Sequence, residues 1–476
     1  HLQQQQHLQQ HKGSGGAHHA DDGANHAGSK ARMGVPVARP PPHVVMHGTG
    51  HMRSLREALA PPRMLAPSDR AWRSPVNNRV LAEDAGPRRP KIYVLNLDER
   101  WRTVLDPHEE QGLYGLEIAF PKLLIGSPYV TDDPEEADFF FVYWYAYFTP
   151  TKDRKALVEH IKSFGFWDRH QGRDHIVVMV ADQGGCDGYG MDHMDDFANA
   201  MRIVHWGKPT GVYAENPCML VDRWAAGCDQ VFQMVEHKKR GIHKKPCYVK
   251  GQDLLVPTTV SESPANTRFV NVSLKVPLKY LITFGGGINK THLTNPDLPE
   301  IDAGYSFGVR QTFARLYHRH PEIKIFWGFT ADFWLEAAAS EFCFAPAGWG
   351  WGSRVKGGIT SGCIPVIVQD GIKVDWEDDL PMHEFAVRMP LSHLHRLPEI
   401  LNRFKRTGKA AAMRKNLECI WPLYWWSRPL GRAFEMSMCV LKARILGHPI
   451  RVDFDSCRLF CGDDQPVDFR GPFHSV

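Results

Sequence analysis

The sequence predicts an α/β protein with two parallel sheets, because apolar strand-like runs alternate with helical stretches in two separate blocks. In the first block the strand-like runs are 91–95, 139–143 and 175–180, and a helical stretch at 153–164 precedes the third run. The acidic segment 132–137, which contains Pro134, predicts the start of another helix. Strands that alternate with helices form mostly parallel sheets.

The second block repeats this pattern after a loop-rich segment near 255–278. Its strand-like runs are 280–284, 324–327, 342–345 and 364–368, and its helical stretches are 307–320, 333–339 and 354–361. We therefore expect two Rossmann-like domains, 91–275 and 276–420, followed by a C-terminal helix and a cysteine-containing tail at 421–476. Ligands of open α/β sheets bind beyond the carboxyl ends of the strands. Two sheets that face each other thus predict a binding cleft between the domains.

Residues 1–90 have a composition that cannot form a packed core. They contain Gln and His repeats followed by stretches rich in Gly, Ala and Pro, which favour disorder. We interpret them as a flexible stem between a membrane anchor and the folded head. A His-rich metal-binding tail is the alternative, without a ligand spacing that supports it. The chain begins at His1 and contains no apolar run long enough to cross a bilayer, so an anchor is expected to precede it.

Charge and composition give no argument for a nucleic-acid partner. The 476 residues carry a formal net charge of +4, and 43% of them are hydrophobic, as is ordinary for a globular protein. Binding to nucleic acid would call for a strongly basic surface. We therefore expect no nucleic-acid partner.

The segment from Ser340 to Val368 combines a strand, a glycine-rich loop and a helix start. Glycines let the backbone approach a ligand and leave amide N–H groups free, and a helix N-terminus favours a phosphate. An arginine at this point clamps a diphosphate in bidentate fashion, and tryptophans wall the pocket or stack on a base or sugar. The residues concerned are Gly348, Trp349, Gly350, Trp351, Gly352, Ser353 and Arg354. A glycine-rich turn with aromatic residues packed between the domains is the alternative.

Several further motifs accompany this segment in a fixed order along residues 91–420. They are Asp133-Pro134-Glu135-Glu136-Ala137-Asp138-Phe139-Phe140, Gly172-Arg173-Asp174-His175 with Asp182 and Gly184, Tyr280–Gly286 with Val309-Arg310, Ser340-x-Phe342-Cys343-x-x-Pro346-x-Gly348 with Arg354, Gly362-Cys363-Ile364-Pro365-Val366, and Trp376 with Phe385-Ala386-Val387. Together they resemble the signature of the exostosin-like (family 47) glycosyltransferases.

The resemblance implies a GT-B fold and a nucleotide-sugar donor, most simply a UDP-sugar, held by the C-terminal half. It also implies inversion at the anomeric carbon, a polysaccharide or glycoprotein glycan as acceptor, no cofactor and no essential metal. We expect a location in the Golgi lumen as a type II membrane protein, and leave a homo- or heterodimer open.

The resemblance also implies roles for individual residues. Arg354 and the loop amides hold the diphosphate and stabilise it as it leaves, and Gly285 and Arg310 belong to the same donor site. A general base from the N-terminal half takes the proton of the acceptor hydroxyl. Asp182 and His175 are the candidates, and structural roles for both, in a turn or a domain interface, stay open.

One position departs from the pattern of the family. Three residues after the arginine, where an acidic residue is expected to hold the donor ribose, this chain has Gly357. Asp370, Asp375 or Trp351 are then the candidates for contacting the ribose or the sugar. The alternative is a catalytically inactive protein that acts as a binding partner or subunit of a transferase complex.

Other patterns are weaker. Lys290-Thr291 lacks the glycine that a phosphate-binding loop needs before its lysine, and Asp453-Phe454-Asp455 is interpreted as surface charge. Asp192, His193, Asp195 and Asp196 could hold a metal, but a solvated loop fits as well. Cys457 and Cys461 predict a disulfide, and Cys363 a small buried hydrophobic residue. Sequons at Asn271 and Asn289 give mild support for a lumenal location.

Overall fold

The computed structural model describes residues 89–101, 110, 112–147, 154–182, 184, 197–209, 247–288, 305–328, 333–348 and 350–468. All of them lie in one compact unit, Arg56–Val476. Several sequence predictions fall outside the described residues: residues 1–88 of the stem, the acidic cluster at 192–196, Asn289, the Lys290-Thr291 pair and Trp349.

The first sheet is built from short apolar strands of the N-terminal half. Its strands are β1 (Ile92–Leu95), β2 (Phe139–Val142), β3 (His175–Val178), β4 (Met201–Val204) and β5 (Leu254–Leu255). They lie in sequence order and pair in parallel throughout. Every residue of β2, β3 and β4 is buried, as is typical of parallel strands that are covered on both faces. The helices are α1 (Leu116–Ile125), α2 (Arg154–Ser163) and α3 (Trp167–His170).

The second sheet is also parallel, but its strand order reverses direction. Its strands are β6 (Tyr280–Gly286), β7 (Ile323–Trp327), β8 (Ser340–Pro346), β9 (Ile364–Val368) and β10 (Val387–Arg388), and its helices are α4 (Val309–Tyr317), α5 (Phe333–Ala338) and α6 (Arg354–Thr360). The strand order is β10-β9-β8-β6-β7, so the chain forms β7 on one side of β6 and returns to form β8 on the other. Ligands of open α/β sheets bind at such a switch point, here the carboxyl ends of β6 and β8.

The C-terminal segment folds back over both sheets. It consists of α7 (Leu397–Arg406), α8 (Lys409–Ile420), α9 (Ala433–Leu446) and an antiparallel sheet of β11 (Ile450–Asp453), β12 (Arg458–Cys461) and β13 (Pro466–Asp468). Phe434 of α9 packs on Phe120 and Tyr129 of the N-terminal half, with ring centroids 5.7 and 6.0 Å apart. Helix α9 therefore packs against the N-terminal half of the chain. In the described part of the chain, no helix is both long and apolar enough to cross a membrane.

Direct contacts join the two sheets. The backbone N–H of Trp376 donates to the Leu255 carbonyl (2.9 Å), and that of Lys373 donates to the Gly207 carbonyl (2.8 Å). Glu262, in the connection between the sheets, is buried and accepts hydrogen bonds from Lys356 Nζ of α6 and from the backbone N–H of Trp426 and Ser427. The predicted α/β fold with two parallel sheets is therefore confirmed.

The acidic segment 132–137 forms a turn, so the predicted helix start is wrong. The Thr131 hydroxyl accepts a hydrogen bond from the Asp133 N–H (3.2 Å), and the Asp133 carboxylate accepts one from the Glu135 N–H (2.9 Å). Such local side-chain acceptors compete with the helical hydrogen bonds of the backbone. The Asp453 carboxylate likewise caps an exposed turn, by accepting from the Asp455 N–H (3.0 Å).

The cysteine predictions are also wrong in part. Cys457 and Cys461 do not pair with each other, because each faces a different helix of the C-terminal segment. The disulfides resolved in the described residues are Cys343–Cys363, Cys419–Cys457 and Cys439–Cys461. Cys363 is buried as expected, but its sulfur bonds to that of Cys343 in β8 instead of packing as a free thiol.

Candidate functional site

The carboxyl ends of the two sheets meet at Asp182, which follows β3, and at the loop that follows β8. The backbone N–H of Trp351 donates to the Asp182 carbonyl (3.0 Å), and the Trp351 indole N–H donates to the Ala181 carbonyl (3.1 Å). A Cβ atom added to Gly350 would lie 1.7 Å from the same Asp182 carbonyl oxygen. Only glycine allows this approach, so the loop 350–352 is fitted against the first sheet.

Two arginines lie at the switch point of the second sheet. Arg310 of α4 is buried, and its guanidinium donates to the carbonyls of Ala347 (2.9 Å) and Gly287 (2.8 Å) and to the Tyr305 hydroxyl (2.8 Å). Arg354 opens α6, with its guanidinium carbon 4.9 Å from the ring centre of Phe333. The strand ends and the helix starts therefore direct both side chains to the same edge of the sheet.

Gly286, at the end of β6, makes room for Arg354. Its φ of +149° strains any side chain, and an added Cβ would lie 2.8 Å from Arg354 Nη2 and displace the guanidinium. The predicted Gly285 has a different neighbour, since an added Cβ would lie 2.5 Å from the Phe333 ring. Gly348 and Gly352 lie on the Arg310 side, where added Cβ atoms would be 3.3 and 4.0 Å from Arg310 Nη2.

The electrostatics of the arginine pair favour an anion. Burial and, to a smaller extent, the neighbouring positive charge of Arg310 lower the pKa of Arg354 to about 9, while Tyr305 opposes this shift. Burial also lowers the pKa of Arg310. Both groups stay protonated at neutral pH, so two partly desolvated cations face each other at the carboxyl edge. A bound diphosphate would relieve this repulsion and accept charge-assisted hydrogen bonds.

The other residues predicted for the donor site, Ser353, Asp370 and Asp375, lie in different environments. Ser353 precedes α6 without a side-chain capping bond, and α6 has only seven residues. Asp370 accepts hydrogen bonds from the Leu391 N–H (3.1 Å) and so caps the 3₁₀ segment Leu391–Arg396. Asp375 is buried; burial raises its pKa to about 8, and the Lys356 ammonium partly opposes that shift. These contacts are structural, and neither aspartate is an evident ligand of the donor.

Gly357 lies on the face of α6 that packs against Trp334. An added Cβ would be 3.7 Å from the Trp334 ring, which is an ordinary van der Waals distance. The space for a small side chain therefore exists, and the absent carboxylate is a property of the sequence rather than of the fold.

Asp182 has a defined side-chain environment. Its Oδ1 accepts a hydrogen bond from the Tyr114 hydroxyl (2.9 Å), and the Tyr114 ring stacks on Tyr147 with centroids 3.8 Å apart. Burial, the Asp182 carboxylate and Tyr147 raise the pKa of Tyr114 far above its ordinary value. Tyr114 is therefore a hydrogen-bond donor at every physiological pH and fixes the orientation of the carboxylate.

His175 lies at the amino end of β3, at the opposite edge of the sheet from Asp182. It is buried, packs against Phe140 and Trp167, and its Nδ1 is 2.8 Å from Asp174 Oδ1. Because the carboxyl ends of parallel strands face the cleft, this position does not suit a general base. The contacts indicate a structural role.

The sequence reasoning did not consider His205, which follows β4 directly. The imidazole is buried, its Nδ1 is 2.8 Å from the Val256 carbonyl, and burial lowers its pKa to about 3. Its Nε2 has no hydrogen-bond partner among the described residues, and its ring lies edge-on to Trp351 at 5.1 Å. The signal available in the sequence was a histidine at the carboxyl end of a strand.

Two parallel sheets that meet at their carboxyl ends, with an arginine pair at the switch point of the second, define a GT-B architecture. The profile of the exostosin GT47 domain matches residues 86–404. The chain therefore belongs to the exostosin GT47 family of glycosyltransferases, and residues beyond 404 extend past the matched domain.

The chain is similar to plant proteins, with low sequence identity. A probable glucuronoxylan glucuronosyltransferase of Arabidopsis thaliana is 25% identical over 355 residues, which cover 68% of this chain and 66% of the relative. A probable beta-1,4-xylosyltransferase of the same plant is 24% identical, over 67% of this chain and 73% of the relative. The chain thus spans about two thirds of the length of these relatives. A solved glycosyltransferase from Rickettsia africae aligns over 75% of this chain and 99% of its own, with 12% identity and a TM-score of 0.32, too low to carry an argument.

Proposed function

We propose that the chain transfers a sugar from a UDP-sugar to a glycan acceptor with inversion at the anomeric carbon. The observation that carries this proposal is the arginine pair, Arg310 and Arg354, at the switch point of the second sheet. The pair supplies the positive charge that a diphosphate needs, both in the bound donor and in the departing UDP. For this reason we propose that the reaction needs no divalent metal.

In the proposed mechanism Asp182 is the general base. Its carboxylate accepts the proton of the acceptor hydroxyl while the oxygen bonds to the anomeric carbon and the bond from that carbon to the UDP oxygen breaks. Tyr114 holds the carboxylate in place through its 2.9 Å hydrogen bond. Attack from the side opposite the leaving UDP inverts the configuration, and a single displacement needs no second protein nucleophile.

The relatives suggest the classes of donor and acceptor. Their names refer to glucuronosyl and xylosyl transfer, and one of them to glucuronoxylan, so we propose UDP-glucuronate or UDP-xylose as donor and a xylan-like glycan as acceptor. The disulfides between buried cysteines are typical of the secretory pathway. They support the proposed Golgi location, and the type II membrane anchor is part of the same proposal.

The test is calorimetric binding of UDP to the full chain in the presence of a chelator. Arg354→Ala should weaken binding by about ten- to a hundredfold, because a hydrogen bond to a charged group contributes about 1.5–3 kcal/mol. Arg396→Ala is the matched control, since it removes the same charge at an exposed position paired with Glu399. Equal affinities for the two variants would contradict the donor site. Absence of UDP binding by the wild-type chain would favour the alternative of an inactive binding partner. The observation behind that alternative is Gly357, which stands where the family has an acidic residue.

A further inference from the structure

The chain that follows β2 places three tyrosines along the carboxyl edge of the first sheet. Tyr143, Tyr145 and Tyr147 are partly exposed, and they alternate with Trp144 and Ala146, which are buried. The hydroxyls of Tyr143 and Tyr145 are 3.3 Å apart, so these two side chains lie on the same side of the segment. The buried residues between the tyrosines hold the segment to the core.

These tyrosines and Tyr114 form two contacting pairs, and one of the pairs contacts the candidate base. The rings of Tyr147 and Tyr114 are stacked at 3.8 Å with an angle of 24° between their planes, and the hydroxyls of Tyr143 and Tyr145 are 3.3 Å apart. Tyr114 donates to Asp182. We name Tyr114, Tyr143, Tyr145 and Tyr147 the tyrosine platform.

A buried carboxylate holds the platform in position. Glu117 of α1 is only 1% exposed, and both of its oxygens accept hydrogen bonds from the backbone N–H of Tyr147, at 3.1 and 3.0 Å. Burying a carboxylate is costly unless it is well bonded, and here part of its bonding capacity fixes the backbone of Tyr147. A preorganised aromatic surface loses less entropy when it binds a ligand.

The chemistry of the platform selects an uncharged carbohydrate. Aromatic faces pack against the apolar C–H faces of sugar rings, and phenol hydroxyls both donate to and accept from sugar hydroxyls. The four side chains of the platform carry no charge, in contrast to the two arginines on the donor side. A neutral oligosaccharide therefore fits this edge better than a nucleotide or a polyanionic glycan.

We propose that the tyrosine platform is the acceptor subsite, which binds a neutral glycan chain with one hydroxyl directed to Asp182. This inference rests on the proposed transferase function. It goes further in stating where the acceptor binds and that the acceptor is uncharged. In this arrangement Tyr114 has two roles, because its ring belongs to the platform and its hydroxyl orients the carboxylate of Asp182.

The test is calorimetric titration of the full chain, saturated with UDP, with xylohexaose, cellohexaose and mannohexaose. Tyr147→Ala should weaken binding of the hexasaccharide that the wild type prefers by about tenfold or more, which corresponds to about 1.4 kcal/mol. Affinity for UDP should stay within about twofold of wild type. Tyr147→Phe keeps the ring and should retain most of the affinity.

A matched control comes from a second stacked aromatic pair. Phe269 is partly buried and stacks on Trp421 at 5.6 Å, next to Gly362 and away from Asp182. Phe269→Ala should leave hexasaccharide binding within about twofold of wild type, and thermal unfolding of each variant reports whether it folds.

Two results would overturn the platform and leave the donor site standing. One is hexasaccharide binding by folded Tyr147→Ala that equals that of the wild type. The other is a wild-type chain that binds UDP but none of the three hexasaccharides. A wild-type chain that does not bind UDP would overturn the proposed function, and the platform with it.

Discussion

Gly350→Ala is the substitution that most directly tests whether the loop after β8 must fit against the first sheet. The Cβ of alanine would lie 1.7 Å from the Asp182 carbonyl oxygen, and separations below 3.0 Å are not tolerated. The two backbones must therefore part by more than about 1 Å, a displacement that would also strain the hydrogen bond from the Trp351 N–H to Asp182. Overpacking of this kind costs about 1–3 kcal/mol.

The expected consequences are a lower unfolding temperature and a loss of catalysis. A misplacement of about 1 Å near reacting groups lowers the rate by roughly a hundredfold, so kcat/KM for transfer should fall by about that factor. Gly352→Ala is the matched control, because its added Cβ has 3.8 Å to its nearest neighbour, the Pro346 carbonyl. Differential scanning calorimetry and a radiolabelled-sugar transfer assay give the two readouts. If Gly350→Ala is as stable and as active as Gly352→Ala, the close approach is not required and the reasoning fails.

Two further predictions concern aspartates. Asp182→Asn should lower kcat by about 10²–10⁴-fold with UDP affinity within about threefold of wild type; an unchanged kcat would remove Asp182 as the base. Burial raises the pKa of Asp375 from 3.8 to about 8 in the folded protein. Between these values the unfolded chain loses a proton that the folded chain keeps, so stability declines as pH rises from about 4 to about 8. Asp375→Asn should flatten this decline in chemical denaturation, and a slope equal to that of the wild type would contradict the assignment.

The fold could be predicted because its strands are marked by continuous apolar runs. β9 was expected at 364–368 and spans Ile364–Val368, and β6 extends the expected 280–284 by two glycines to Gly286. α1 was missed because Pro121 lies inside it, and proline ordinarily marks the end of a helix. The segment 132–137 was misassigned because its polar side chains bond locally, which acidic composition alone does not reveal.

The site was less predictable because its contacts join residues that are far apart in the chain. Arg354 could be predicted from the glycine-rich loop that precedes it. The role of Gly286 could not, because it depends on where the Arg354 guanidinium lies in the fold. The sequence predicts His175 as a candidate base and assigns no role to His205, although only His205 follows the carboxyl end of its strand, as the bounds of β3 and β4 show. The pairing of Cys457 and Cys461 with partners in helices α8 and α9 also depends on the tertiary fold, since connectivity cannot be read from spacing.

The central claim is that Arg310 and Arg354 hold the diphosphate of a nucleotide-sugar donor. The most direct measurement compares calorimetric titrations of the full chain with UDP and with uridine, both in the presence of a chelator. UDP should bind at least about a hundredfold more tightly than uridine, because charge-assisted hydrogen bonds to the phosphates contribute most of the affinity. Equal affinities for the two ligands, or binding of UDP only when a divalent metal is supplied, would contradict it.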